Sequence, residues 1–244
     1  VVLLRAGGSF VCEVLVMEGE ATVEPRRGSV KLITCKLIVV GNSDTGKSNL
    51  ITQFIEGRFY PQHELTLGVD FGDKSVRSKD HLVKCTICDT AGQVDYRSMV
   101  RSYYRNVTGA LAVYDVTSAL SLEDLEPWIG EARQHASEAL SIGLVGTKLD
   151  LCQADPARRE VSAEDATEFM AKHGLDFRCE TSAKTGQGVD DAFQQLVDLI
   201  VAKLKAGRVN DEEVEIRESI RLSHFPRNRR HHSSDAACSS STCA

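Results

Sequence analysis

No run of about 18 apolar residues occurs in the sequence, so the chain offers no membrane-spanning helix. Positive charge is not in excess either, since 29 Lys and Arg against 35 Asp and Glu give a formal net charge of -6. This balance argues against general nucleic-acid binding, although local basic patches stay open. Internal repeats are also absent. Hydrophobic residues make up 42% of the 244 positions, enough for a full core, so the length fits one domain with extensions.

Metal-ligand spacing is scarce among the 8 cysteines. Cys85 and Cys88 form a C-x-x-C pair, but they fall on opposite faces of a predicted strand and no second ligand pair lies nearby. We therefore interpret most cysteines as small hydrophobic residues of a protein in a reducing, cytosolic compartment, and not as zinc ligands or redox centres.

The first 30 residues differ from the rest of the chain. Their apolar start is interrupted by Arg5 and a glycine pair before any signal-peptide core can form. Met17 opens a polar lead that suits an ordinary N-terminus. We expect residues 1–30 to be a disordered or non-native extension, with Met17 as the natural start.

A phosphate-binding motif organises the chain. Residues 37–48 read LIVVGNSDTGKS, a strand buried on both faces that runs into G-x-x-x-x-G-K-S. The two glycines permit backbone angles that let successive N–H groups point at phosphate oxygens. Lys47 brings positive charge to the outer phosphates, the Ser48 hydroxyl can ligate Mg²⁺, and the following helix adds its positive dipole end. The residues expected to bind nucleotide here are Gly41, Asn42, Ser43, Asp44, Thr45, Gly46, Lys47, Ser48 and Asn49.

Strands alternate with helices behind this motif. The predicted strands are 32–40, 71–78, 82–88, 110–115, 142–147 and 176–181. The predicted helices are 48–56, about 99–105, 122–136, 163–173 and 190–205. Ser162 with Asp165 predicts an N-terminal cap for the fourth helix, and Gly174 predicts its end. The alternation indicates an α/β fold with an open, mostly parallel six-stranded sheet, helices on both faces and ligands at the carboxyl ends of the strands.

The sequence after the third predicted strand is suited to phosphate chemistry. Residues 89–93 read DTAGQ. Asp89 at a strand end can hold Mg²⁺ through water, the Gly92 N–H can contact a γ-phosphate, and Gln93 can orient the attacking water.

Two later motifs favour GTP over ATP. Residues 147–150 read TKLD, and the Asp150 carboxylate can accept hydrogen bonds from the N1–H and the exocyclic amine of guanine, whereas adenine presents the opposite pattern. Residues 180–184 read ETSAK, where the Ala183 N–H can meet the guanine carbonyl. These motifs argue against a P-loop ATPase or kinase. The residues expected to bind the base are Thr147, Lys148, Asp150, Ser182, Ala183 and Lys184.

Together these motifs resemble those of the Ras superfamily of small GTPases, across about residues 31–206. Within the superfamily the chain is most similar to the Rab family. The resembling stretches are RF at 58–59, LTLGVDFG at 65–72, YR at 96–97 and RSYYR at 101–105. The run EARQHA at 131–136 is similar to Rab members of the ER–Golgi and recycling routes.

The resemblance implies a P-loop NTPase G domain and specific residue roles. Thr66 would be the switch I threonine that ligates Mg²⁺ and senses the γ-phosphate, and Gln93 the switch II glutamine. With Lys47, these are the expected catalytic residues. The expected metal ligands are Ser48, Thr66 and, through water, Asp89. Phe59 would pack on the guanine face, with a plain core aromatic as the alternative.

The implied function is that of a GTP/GDP-regulated switch. A Rab-like protein hydrolyses GTP slowly without help, and it controls vesicle-mediated transport by recruiting effectors. Its cofactors are GTP or GDP and Mg²⁺. Its partners are an exchange factor, a GTPase-activating protein, effectors and a membrane, with no nucleic acid, and the protein is expected to be a monomer. The expected location is the cytosolic face of endomembranes, in exchange with the cytosol. The alternative is a weakly hydrolysing, fast-exchanging GTP-binding scaffold.

Several positions depart from the Rab pattern. Asp44 stands where the family usually has Gly, and its carboxylate predicts weaker nucleotide affinity and faster exchange unless it turns to solvent. Thr147 replaces the usual Asn, as in the Rho family. Cys88 replaces a Trp that joins Phe71 and Tyr103 in an aromatic triad read by effectors, so effector specificity is altered. Val94 and Asp95 replace a Glu-Arg pair.

Residues 207–244 form a tail of changed composition. An acidic patch gives way to an arginine cluster and a Ser-rich end that cannot build a core, so we expect a disordered hypervariable tail. Rab proteins commonly end in C-C or C-x-C, whereas here Cys243 is penultimate and Cys238 lies upstream. Prenylation of Cys243, with Cys238, is the favoured expectation, and an unmodified tail is the alternative.

Overall fold

The computed structural model describes residues 29–61, residue 66 and residues 68–92, 101–209 and 214–221. Over these residues the strands are β1 (Ser29–Val40), β2 (Val69–Ser78), β3 (His81–Thr90), β4 (Val107–Asp115), β5 (Ser141–Thr147), β6 (Phe177–Glu180) and β7 (Glu215–Arg221). The helices are α1 (Lys47–Glu56), α2 (Ala119–Glu123), α3 (Glu126–His135), α4 (Leu149–Ala154), α5 (Ala163–Lys172) and α6 (Val189–Lys205). In the same described ranges, two short 3₁₀ helices span Arg101–Tyr104 and Pro156–Arg158.

The strands form one sheet in the order β2-β3-β1-β4-β5-β6, with β7 beside β1. Strand β1 pairs in parallel with β3 and β4, β4 with β5, and β5 with β6, whereas β2 and β7 are antiparallel to their partners. The predicted mostly parallel sheet is confirmed, with β7 as a seventh strand. Parallel neighbours bring their carboxyl ends to the same edge, which places the motifs after β1, β3 and β5 together.

Apolar cores lie on both faces of the sheet. On one face α1 and α6 pack against alternate strand residues such as Leu111 and Val113. On the other face α3 and α5 pack against the intervening residues, including Ala110 and Ala112. All of β4 is buried. Because both faces are covered, the central strands need continuous apolar sequence, and this is why they are predictable.

The helical prediction is wrong in one long segment. The single helix predicted for 122–136 is divided, since α2 ends at Glu123 and α3 begins at Glu126. Pro127 lies in the first turn of α3. A proline is tolerated there because its missing N–H needs no partner, whereas in a helix interior it removes a hydrogen bond and clashes with the preceding turn. The described part of predicted helix 99–105 is the 3₁₀ helix, and α4 is an addition.

The helix ends follow their local sequence signals. Ser162 and Asp165 form a reciprocal capping box at the start of α5, and Gly174 adopts the left-handed φ of 54° just after its end. Both predictions are confirmed. The longest described helix, α6, has 17 residues. Within the described ranges, no helix combines the length and apolarity that a membrane crossing requires.

Four of the five described cysteines are buried, and Cys179 is partly buried against one apolar core. Cys85 and Cys88 lie on opposite faces of β3 and join different cores, as predicted. Burial raises the pKa of Cys88 to about 11. Cys35 and Cys85 approach to 3.8 Å between sulfurs as free thiols. In the described part of the chain, no group of three or more His, Cys, Asp or Glu side chains can hold a metal ion.

The C-terminal tail contains a strand that was not predicted. The expected disorder of 207–244 is wrong for residues 215–221, which form β7 and pair with the first half of β1. Val209 and Val214 lie in the core beside α6, 5% and 1% exposed. The sequence signal of this strand is weak because four of its seven residues are charged, and its partner β1 lies far away in the sequence. Its pairing also extends β1 to Ser29, two residues before the predicted domain start. Residues 222–244 lie outside the described residues.

We expect Val214→Ala to destabilise the full-length protein by about 1–2 kcal/mol, because it removes two buried methyl groups from a packed core. The melting temperature should fall by roughly 3–6 °C in a chain of this size, measured by calorimetry. Ile216→Ala, two residues further along the chain, is the matched control, since Ile216 is 40% exposed. Equal losses from the two variants would contradict the buried position of Val214.

Candidate functional site

A cleft of about 620 Å³ lies at the carboxyl edge of the sheet, where the loop after β1 meets the loops after β5 and β6. The residues that line it are Ser43, Asp44, Gly46, Lys47, Ser48, Asn49, Phe59, Pro61, Thr66, Gly92, Thr147, Lys148, Asp150, Leu151, Ala183 and Lys184. All except Pro61 and Leu151 belong to the nucleotide-binding set predicted from the sequence. Those two could have been found only as neighbours of Phe59 and Asp150. Gln93 lies outside the described residues.

The phosphate loop takes its shape from two glycines at its ends. Gly41 has a φ of 145°, and a Cβ there would lie 2.2 Å from the Val113 carbonyl oxygen of β4. Gly46 is left-handed, with a φ of 86°, and caps the start of α1. No side chain fits at Gly41, and one at Gly46 would be strained, so the loop can turn sharply before the helix.

The Asn42 side chain points away from the cleft. Its Nδ2 donates to Asp124 Oδ2 at 2.6 Å, and its Oδ1 accepts from Trp128 Nε1 at 3.0 Å. Its main-chain carbonyl accepts from Lys47 Nζ at 2.7 Å and from Thr45 Oγ1 at 2.9 Å. Asn42 therefore fixes the phosphate loop to the junction of α2 and α3, a role that the motif alone does not show.

Lys47 is a buried cation at the phosphate end of the cleft. It is 5% exposed. Burial lowers its pKa from the ordinary 10.5 to about 8, while the charges of Asp89 and Asp44 act in the opposite direction. Phosphate oxygens beside Nζ would supply the negative charge that favours the ammonium form.

We expect nucleotide affinity to fall as pH rises above about 8. The free protein loses the Lys47 proton near that pH, whereas a phosphate holds the proton in the complex, so binding takes up a proton there. The affinity for GDP should fall by up to tenfold per pH unit between about pH 8 and 9.5, measured by calorimetry in buffers of different ionisation enthalpy. Lys47→Arg should remove this dependence, since arginine stays charged. An affinity that stays flat to pH 9.5 would contradict the assignment.

Two hydroxyls meet beside Lys47. Ser48 Oγ and Thr66 Oγ1 lie 2.9 Å apart, although they are 18 positions apart in sequence. Asp89 at the end of β3 is 8% exposed and close enough to Lys47 for its charge to act on it. Hydroxyl and carboxylate oxygens suit a hard cation such as Mg²⁺, which takes its remaining ligands from water and phosphate. The donor set therefore fits the predicted metal.

Gly92 lies directly on the phosphate loop. Its carbonyl accepts from the Ser43 N–H at 3.1 Å. A Cβ at Gly92 would lie 2.4 Å from Ser43 N and 2.5 Å from Lys47 Nζ. Only glycine permits this approach, which brings the segment after β3 to the phosphate end of the cleft.

A carboxylate marks the opposite end of the cleft. Asp150 Oδ1 accepts from Ser182 Oγ at 2.7 Å, and this serine is fully buried. Ser182 Oγ in turn accepts from the Thr185 N–H at 3.2 Å. Ala183 and Lys184 line the cleft beside Asp150, whereas Ser182 holds the carboxylate from behind. The arrangement presents a fixed hydrogen-bond acceptor to a base.

The loop that carries Ser182 is held by an ion pair at its root. Arg159 makes two bonds of 2.8 Å to the carboxylate oxygens of Glu180, the last residue of β6. This paired geometry raises the pKa of Arg159 further above its usual value. Lys148, left-handed at a φ of 62°, pairs with Asp115 at 2.7 Å across the same region.

Phe59 stands at the mouth of the cleft. It is half-buried and belongs to neither apolar core, which argues against a plain core aromatic. Asn49 holds the neighbouring main chain with two bonds of 3.1 Å, one to the Tyr60 carbonyl and one from the Tyr60 N–H. The flat ring is thus positioned against the cleft by a side chain of α1.

Asp44 occupies the outer turn of the phosphate loop. It adopts a left-handed φ of 62° without being glycine, and its side chain is exposed while still lining the cleft. Its charge reaches Lys47. The carboxylate therefore lies where it can act on a bound phosphate.

The fold and the cleft define a P-loop nucleotide-binding protein, with a cation and hydroxyls at the phosphate end and a carboxylate at the base end. A family profile, described as Ras family, matches residues 36–202. Over 171 residues the chain is 44% identical to the Ras-related protein Rab-2B of Dictyostelium discoideum, and the alignment covers 70% of this chain and 82% of that protein.

The chain belongs to the Ras family and is a Rab-type small GTPase. It binds GTP and GDP and is a GTP hydrolase, as the four motifs predicted. As a Rab-like GTPase it acts in vesicle trafficking. A P-loop ATPase or kinase, the class that the base motifs argued against, does not describe it.

Proposed function

We propose that this protein is a Mg²⁺-dependent switch whose hydrolysis of GTP depends on Lys47, Thr66 and Gln93. The single observation that carries the proposal is the meeting of Ser48 and Thr66, 2.9 Å between hydroxyl oxygens, beside buried Lys47. Thr66 comes from the segment between α1 and β2, so a ligand that draws on both hydroxyls ties this segment to the phosphate loop.

The chain's own residues have distinct parts in the reaction. Ser48, Thr66 and Asp89 would hold the metal, and the bound metal would supply positive charge that neutralises the phosphates. Lys47 stabilises the negative charge that develops in the transition state, and the Gly92 N–H binds the γ-phosphate. Gln93 orients the attacking water. Without an arginine supplied by a partner, turnover is on the order of 10⁻⁴ per second.

Effectors read the state of the switch on an aromatic surface. Phe71 is 51% exposed, and its ring lies 5.7 Å from the ring of Tyr103. Cys88 pairs with Phe71 in register across β2 and β3 but is fully buried, so it adds no surface where Rab proteins carry Trp. The effectors of this protein therefore contact a two-ring patch, and binding energy concentrates in such aromatic anchors. An exchange factor and a GTPase-activating protein act on the same switch segments.

The membrane is reached through the C-terminal tail. Strand β7 runs antiparallel to β1 and ends at Arg221 opposite Ser29, the end of β1 far from the phosphate loop. The last described residue thus lies at the edge of the sheet away from the cleft, which supports an anchor that does not block the switch. Prenylation of Cys243, with Cys238, and the arginine cluster supply this anchor at the cytosolic face of ER–Golgi endomembranes, with return of the monomeric protein to the cytosol.

Single-turnover hydrolysis of GTP by the full-length protein tests the switch. We expect a slow Mg²⁺-dependent rate that Gln93→Leu lowers at least about tenfold and a GTPase-activating fraction raises. A rate unchanged by Gln93→Leu and by the activating fraction would favour the weakly hydrolysing scaffold instead.

Mass spectrometry of the native C-terminus tests the anchor, and an unmodified mass would contradict prenylation.

A further inference from the structure

The hydroxyl of Thr147 is fully occupied inside the protein. Thr147 ends β5 and is 2% exposed, although it belongs to the lining of the cleft. Its Oγ1 lies 2.5 Å from the Thr45 carbonyl oxygen and 2.9 Å from the Tyr114 carbonyl oxygen. One carbonyl belongs to the phosphate loop and the other to β4. The side chain therefore links the end of β5, where the base loop begins, to the phosphate loop and to β4.

A threonine hydroxyl has a single proton to donate. Both near neighbours of Thr147 Oγ1 are carbonyl oxygens, which only accept, so the proton is shared between them. Turning the hydroxyl toward the cleft would leave two buried acceptors without this donor, which is unfavourable. Thr147 consequently has no hydrogen-bond donor to offer a ligand.

Guanine presents different chemistry on its two edges. Its N7 and O6 are acceptors, and its N1–H and exocyclic amine are donors. The Asp150 carboxylate, held by Ser182, is matched to the donor edge. N7 needs a donor from the protein. The neighbouring cation Lys148 pairs with Asp115 at 2.7 Å, and this contact directs its ammonium group to that carboxylate.

We propose that the base site of this GTPase does not read N7 of the purine, so it accepts 7-deazaguanine nucleotides as well as guanine nucleotides. Thr147 is a positioning residue that joins the phosphate loop to the base loop. Specificity for guanine comes from Asp150 and the loop of Ala183. This inference rests on the proposed function and on the contact between guanine and Asp150 that the motif at 147–150 predicts.

Competition against a fluorescent GDP, using GDP and 7-deaza-GDP on the full-length protein, tests the proposal. We expect the two dissociation constants to agree within about twofold in the wild type. Thr147→Asn brings an amide with two donors, and it should create a preference for GDP of about fivefold, the effect of one hydrogen bond. Thr147→Val loses the hydrogen bonds that link the loops, so it should weaken the binding of both nucleotides equally, by about fivefold. Thr147→Ser should restore both affinities.

The outcomes separate this inference from the proposed function. Wild-type binding of GDP with about tenfold discrimination against 7-deaza-GDP would overturn the inference and leave the GTPase switch intact. A loss in Thr147→Val confined to GDP would also overturn it, since a positioning role affects both nucleotides. Failure of the wild type to bind either nucleotide would overturn the inference together with the proposed function.

Discussion

Asp150→Asn should lose affinity for GDP and gain affinity for xanthosine diphosphate. The wild-type carboxylate accepts from two guanine donors, and hydrogen bonds to a charged group are worth about 1.5–3 kcal/mol each. An asparagine keeps one acceptor and turns a donor toward the base, against the guanine amine. Ser182 Oγ donates to Asp150 Oδ1 at 2.7 Å. In the variant this donor would select the amide oxygen at the same position, so the amide nitrogen would face the base. We therefore expect GDP affinity to fall by at least about 100-fold.

Xanthine distinguishes a change of specificity from simple damage. It has a carbonyl where guanine has an amine, so the new amide N–H finds an acceptor, and Asp150→Asn should bind xanthosine diphosphate more tightly than GDP. Both affinities are measured by displacement of a fluorescent nucleotide. Ser182→Ala is the control, since it loosens the carboxylate without changing its chemistry and should weaken GDP without any gain for xanthine. GDP affinity in Asp150→Asn within about fivefold of wild type would contradict the base assignment.

The central sheet could be predicted because burial on both faces demands apolar sequence. Strand β4 is buried along its whole length, so its composition alone reveals it. Strand β7 could not be predicted in this way, since four of its seven residues are charged and it depends on pairing with β1, some 190 positions earlier. The break between α2 and α3 was missed because Pro127 stands inside an apolar pattern of helical period.

Most residues that line the cleft could be predicted from the motifs, but the direction of their side chains could not. A motif places residues near a ligand, and three of them support the site from inside the protein instead. Asn42 bonds to Asp124, Ser182 holds Asp150, and the Thr147 hydroxyl joins two main-chain carbonyls. These partners come from elements distant in sequence, so only the folded chain shows which polar groups remain available to nucleotide.

Asp44→Gly should slow the release of GDP about tenfold. The Asp44 carboxylate lines the cleft near Lys47, and like charges about 5 Å apart repel by roughly 1 kcal/mol in water and several kcal/mol at a protein surface. Asp44 also has an opposite effect on nucleotide binding, since its charge raises the pKa of Lys47 and so favours the charged lysine. At pH 7 a bound phosphate keeps that lysine charged without Asp44, so repulsion between Asp44 and the phosphate dominates. The rate is measured by chase of a fluorescent GDP with Mg²⁺ present.

Asp44→Asn separates the effect of the Asp44 charge on GDP release from the effect of the backbone conformation. Asparagine has nearly the volume of aspartate and tolerates the left-handed φ of 62°, but it has no charge. If repulsion is the cause, Asn should slow release almost as much as Gly, and the difference from wild type should shrink in about 1 M salt, where the screening length falls to roughly 3 Å. Slowing by Gly alone would indicate crowding of the loop by the side chain. Equal rates in all three proteins would show that the Asp44 carboxylate does not affect the bound phosphate.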